Sequence, residues 1–100
     1  QTKCIMNKEI KFQNSGNKGK AYLGELDSPL AQMTISITPN SLWIIDHTEV
    51  DERLKGQGIG KNLLIKVVQQ ARELNIKILP LCPYAKHAFE KYESIQDVLK

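Results

Sequence analysis

The residues of this chain best placed to do chemistry are a glycine run, two proton acceptors on one strand and a thiol. The run is Arg53 to Leu64, RLKGQGIGKNLL, with Gly56, Gly58 and Gly60 at alternate positions and Lys55 and Lys61 beside them. Glycine lets a chain turn tightly or lets another group approach the backbone. A helix that begins there offers the free amide N–H groups of its first turn and the positive end of its dipole. That is the chemistry of an anion site, and a pyrophosphate suits it. A glycine-rich helix start that merely turns is the competing reading, and the run alone does not separate the two. His47 and Glu49 share one strand face by period two, together with Trp43 and Ile45. His47 titrates in the range useful to a general base, and Glu49 is a second candidate. The plainer readings are a hydrogen-bonded core histidine and, for Glu49 and Asp51, solvated charges at a strand end. Cys82 closes an apolar run, where a free cysteine is often just a small core residue.

These residues need elements to hold them. Glu9–Phe12 reads as a short first strand, QNSGNKG as a loop, and Lys20–Leu26 as a second strand ended by DSP. Leu30–Thr38 alternates, with Ala31, Met33, Ile35 and Ile37 on one face and Gln32, Thr34 and Ser36 on the other. PNS turns it into Leu42–Val50, an antiparallel partner whose apolar opening predicts burial on both faces. After the glycines the period changes. Ile59, Leu63, Leu64, Val67, Val68, Ala71 and Leu74 recur at three- and four-residue spacing, which predicts an amphipathic helix capped by Asn75. Ile76–Cys82 then reads as a fifth strand, Tyr84–Tyr92 as a short helix, and Ile95–Leu99 as a last turn. Strand, helix, strand implies a right-handed parallel crossover. The expected class is α+β, an antiparallel meander followed by one βαβ unit. Pro80 inside the fifth strand removes a ladder donor, which suits an edge, a bulge or a place where neighbouring strands part.

One hundred residues predict a single domain spanning 1–100. A net charge of +3 is too small to argue for nucleic acid, and six aromatics are too few for a stacking platform. A basic nucleic-acid-binding domain is therefore the weakest reading. Cys4 and Cys82 make neither a disulfide framework nor a metal site, so no metal is expected. No apolar run nears the roughly 20 residues of a membrane span, and no secretory signal is visible. The expectation is a cytoplasmic protein, monomeric or weakly dimeric, without a membrane or nucleic-acid partner. Two phosphate loops are excluded by spacing. A nucleotide P-loop needs glycine where Lys55 stands and Ser or Thr where Asn62 stands, and a dinucleotide fingerprint needs its third glycine at Lys61.

The spacing Arg53, Gly56, Gly58 resembles the acyl-CoA pyrophosphate loop of the GCN5-related N-acetyltransferases, and it lies between the fourth strand and the next helix, as in that family. A small single-domain branch of the family offers a closer match. It has an IDHTEV-like strand (Ile45–Val50), a GQGIGKNLL-like loop and helix (Gly56–Leu64), and a late C-x-(Y/F)-A-K segment (Cys82, Tyr84, Ala85, Lys86). The resemblance covers about residues 20–92. It implies a central mixed sheet with splayed fourth and fifth strands, between which the pantetheine arm lies, and this would explain Pro80. It implies acetyl-CoA as cosubstrate, bound by Val50, Arg53, Lys55, Gly56, Gln57, Gly58, Ile59, Gly60 and Lys61. It implies acyl transfer to an amine, with Cys82, His47, Glu49 and Tyr84 as catalytic candidates. Cys82 would protonate the leaving thiolate or accept the acyl group, and Tyr84 or Tyr92 are alternative acids. His87 and Lys86 read as surface. The pair of helices that usually follows the first strand is missing, so the acceptor side should be open. The acceptor, whether small molecule, polyamine or protein, is not specified. A non-catalytic acyl-CoA-binding module is the alternative.

Overall fold

The computed structural model describes residues 10–25, 28–54 and 56–100. Five strands form one sheet in the order β1-β2-β3-β4-β5: Lys11–Ser15, Lys18–Gly24, Pro29–Ile37, Leu42–Val50 and Lys77–Pro80. The first four form an antiparallel meander, and β5 joins β4 in parallel. Helix α1 (Ile59–Leu74) connects β4 to β5, and α2 (Pro83–Lys91) follows β5. A last 3-10 segment, Glu93–Val98, leads to Leu99, which bridges Ile78 in parallel.

The apolar residues of one sheet face explain why the helices stack there. Ala21, Leu23, Ala31, Met33, Ile35, Trp43, Ile45 and Ile78 are buried against Leu63, Leu64, Val67, Val68 and Ala71 of α1 and Phe89 of α2. Phe12 extends this core by stacking on Trp43, with ring centroids 5.4 Å apart. Helix α1 ends as its composition predicts. Asn75 adopts a left-handed conformation (φ 59°) and donates to Arg72 O, and Ile76 donates to Ala71 O, the paired bonds of a Schellman cap. Among the described residues no helix is long and apolar enough to cross a membrane.

Three local expectations change. QNSGNKG is a hairpin tip rather than a loop: Gln13–Ser15 belong to β1, Lys18 and Gly19 to β2, and Ser15 pairs with Lys18 around Gly16 and Asn17. Gly16 (φ 61°) supplies the positive φ at the first turn position that such hairpins need. Of the expected first strand, Glu9 lies outside the described residues, as does Leu26 at the end of the second. Strand β4 is buried on one face only; Trp43 and Ile45 are inside while Leu42 and Ile44 are half-buried.

The third change bears on the site. Thr34 pairs with His47 and Ile35 with Ile45, so Asp46 is an extra residue with no partner on β3, a β-bulge. Its carboxylate accepts a hydrogen bond from Ser36 Oγ at 2.7 Å. The bulge inverts the alternation beyond it. Thr48 faces Met33 and Val50 faces Ala31, on the core side. His47 and Glu49 do share a face, opposite Thr34 and Gln32, but it is not the face of Trp43 and Ile45. The parity expected from the sequence is overturned at one residue.

Candidate functional site

Strands β4 and β5 pair only as far as Ile45 and Pro80. The next two amides, of Leu81 and Cys82, both donate to Ile45 O at 3.1 Å, and the chain then turns into α2 behind Pro83. Pro80 therefore stands as the last paired residue of β5. Beyond this point β4 runs on without β5 beside it, and a cleft of about 540 Å³ opens at that edge. Thr48, Glu49 and Val50 of β4, Leu54, Gly56 and Gly58, Ile59 and Gly60 of the first turn of α1, and Tyr84 of α2 line it.

The glycines have distinct reasons to be there. Gly56 (φ 83°) and Gly58 (φ 75°) are left-handed, and a Cβ on either would meet nothing within 4 Å. Their backbone is thus open to something outside the chain. Gly58 is also the N-cap of α1 and offers no side-chain cap to the amides of the first turn. Gly60 differs. A Cβ there would sit 2.8 Å from the Tyr84 hydroxyl oxygen, so this glycine makes room for Tyr84. Composition identifies all three as glycines that something approaches, but only the packing of α2 tells which is approached by protein.

Cys82 is buried next to a lining residue of the cleft, its Sγ donating to Thr48 Oγ1 at 3.3 Å. Tyr84 is 42% exposed, and burial of its ring, then the neighbouring Tyr92 and Cys82, raises its phenol above the ordinary value. At neutral pH the phenol is a proton donor. Thr48 and Leu54 are lining residues that sequence reasoning missed. No motif marks Leu54, and Thr48 is hidden by the bulge.

Other sequence candidates lie apart. The Arg53 guanidinium folds back on Asp51, with Nε to Oδ1 at 3.0 Å and Nη2 to Oδ2 at 3.1 Å, and the Arg53 amide donates to Asp51 Oδ1 as well. These bonds hold the Asp51 carboxyl down to about 2. Arg53 does not line the cleft. Gln57 does not line it either, and Lys61 is turned to the Tyr92 ring, 4.5 Å from its centroid. Lys55 lies outside the described residues. Glu49 is at the cleft edge and accepts from Gln32 Nε2 at 2.9 Å. His47 opens instead on a cavity of the opposite sheet face.

An acyl-CoA would suit this cleft on three observations. The glycine backbone is open, the first-turn amides lack a side-chain cap, and the edge of β4 is left by β5.

The comparisons agree with the geometry. The family model described as GCN5-related N-acetyl-transferase matches residues 20–98. A Staphylococcus aureus protein assigned as a GCN5-like N-acetyltransferase, solved by NMR, is 42% identical over 92% of this chain and 89% of its own, with a TM-score of 0.71. A ribosomal-protein-alanine N-acetyltransferase from Brucella melitensis (16% identity, 77% of this chain, TM-score 0.64) and an aminoglycoside acetyltransferase from a soil metagenome (20%, 83%, 0.58) share the fold. This chain spans 62% and 59% of those two, under two thirds of their length. A search of the curated proteins found no match.

Proposed function

The chain belongs to the GCN5-related N-acetyltransferase family, and from that premise we propose that it transfers an acetyl group from acetyl-CoA to an amine. The observation that carries this reading is the gap where β4 leaves β5, lined by the open backbone of Gly56 and Gly58, by Thr48 and by Tyr84, with Cys82 bonded to Thr48. Bound there, acetyl-CoA supplies an activated acyl carbonyl and a thiolate leaving group.

The chain's own residues divide the remaining work. The Gly56–Gly60 backbone and the dipole of α1 hold the negative charge of the pyrophosphate. Val50 and Leu54 give the arm an apolar wall and exclude water. Thr48 keeps the Cys82 thiol oriented toward β4. Tyr84, a phenol protonated at neutral pH, gives a proton to the departing sulfur. Cys82, bonded to Thr48 beside the cleft, is the second candidate donor. Glu49 and His47, on the other face, are the acceptors for the proton that the amine loses.

Calorimetry with CoA and acetyl-CoA, followed by an acceptor screen of wild type against Cys82→Ala, tests the reading. Micromolar binding with turnover on an amine supports it. Binding without turnover on any amine would favour a non-catalytic acyl-CoA-binding module, and no binding at high micromolar ligand sinks both.

A further inference from the structure

Helix α1 breaks an ordinary rule of charge placement. A carboxylate near a helix N-terminus offsets the positive end of the dipole, and a cation there is repelled. The first turn of α1 holds no acidic residue and carries Lys61 instead, behind a Gly58 N-cap that offers no side-chain acceptor. Where a local rule is broken without compensation inside the chain, function is the usual reason.

A second cation joins Lys61 from another element. Lys61 Nζ lies 4.5 Å from the centre of the Tyr92 ring, and Lys91 Nζ, in the last turn of α2, lies 5.4 Å from the same centre. Both lysines are exposed, while Tyr92 is half-buried against the core. A ring attracts an ammonium but leaves its charge in place. Glu90 and Glu93 stand near Lys91 in sequence, yet among the described residues neither lysine has a carboxylate within ion-pair distance. The pair adjoins the cleft. Gly60, the residue before Lys61, and Tyr84 line it, and after burial it is the neighbouring Tyr92 that raises the Tyr84 phenol.

We propose, building on the acyl-CoA reading of that cleft, that Lys61 and Lys91 seat a second anion of the same ligand, the phosphomonoester on the ribose of CoA. A phosphate monoester carries about two negative charges at neutral pH, which two ammonium groups beside the dipole end of α1 match. The glycine turn and the lysine pair then divide the ligand's phosphates, the backbone taking the pyrophosphate and the side chains the monoester. Such a seat makes the chain select CoA thioesters over pantetheine thioesters that lack this phosphate.

Calorimetry on the whole chain with CoA and with dephospho-CoA, which lacks the monoester, tests the seat. CoA should bind about tenfold tighter, and the margin should shrink as salt rises. Lys61→Ala with Lys91→Ala should weaken CoA more than dephospho-CoA and bring the two within about twofold of each other. Lys91→Glu alone, at an exposed position outside the glycine turn, should narrow the margin in the same direction if the double variant fails to fold. Wild-type affinity for CoA no greater than for dephospho-CoA, or a margin that survives these substitutions, would overturn the inference and leave acyl-CoA binding standing. Binding of neither ligand removes the acyl-CoA reading beneath it.

Discussion

The two halves of β4 have the same backbone but opposite duties. From Leu42 to Ile45 the strand is paired on both sides, to β3 and to β5, and its inward residues Trp43 and Ile45 are fully buried. From Thr48 to Val50 it is paired to β3 alone, and its inward residues border a cleft. Asp46, the extra residue, separates them. A strand flanked on both edges has no backbone group left for a ligand; a strand abandoned by one neighbour has a row of them. The difference teaches that stability and binding are divided along one strand, by a bulge on one edge and a departing partner on the other.

The sharpest way to break this comparison is to damage the first half. Trp43→Ala removes the largest fully buried side chain together with its stack on Phe12, and should destabilise by about 3–5 kcal/mol in urea unfolding. A loss under about 1 kcal/mol would deny that this half carries the core. Damage at the cleft should do the reverse. Gly58→Val places a β-branched residue at φ 75°, which costs about 1–2 kcal/mol of stability. The side chain would also occupy the open space above the loop, so CoA affinity should fall by far more than the stability loss explains. Unchanged affinity in a folded variant would contradict the loop's role. Thr48→Val keeps the shape of the side chain and removes the acceptor of the Cys82 thiol, at a cost of about 1 kcal/mol. Its effect should be on turnover rather than on acetyl-CoA affinity, and equal loss of both would argue that Thr48 only packs.

The smallest effect concerns the turn after β4. The folded-state pKa of Asp51 is depressed to about 2, so its contribution is present above the ordinary carboxylate value and lost as pH falls from about 4 through 2. Asp51→Asn should lower stability slightly at neutral pH, where the charged pair is intact, and flatten the stability–pH curve between about 4 and 2. The pair is exposed, so the change should also shrink in high salt.

Helix α1 was legible to the residue at its end, which Asn75 caps, and to within the glycine run at its start. Strand β4 was legible in extent for a similar reason: turn residues bound an apolar run. The hairpin tip was not. Gln13, Asn14 and Ser15 are polar because β1 is an edge strand and its Gln13 borders the open cavity, and polar edge residues look like loop in composition. Gly60 was read with the phosphate glycines, and packing adds a reason that spacing could not show: a Cβ there would meet Tyr84, 24 positions along the chain. Arg53 matched a motif by spacing, and its side chain turned to Asp51 instead.

What the sequence determined by itself is the local: which segments are amphipathic and with what period, where the chain must accept a positive φ, and the glycine spacing that pointed to a family. Tertiary structure alone decided which face of β4 each residue takes beyond Asp46, since a bulge exists only relative to a partner's register. It also decided that Cys82, Thr48 and Tyr84 meet. Their proximity depends on β5 leaving β4 after Pro80, which the sequence marked only as an edge, a bulge or a parting of strands without choosing among them.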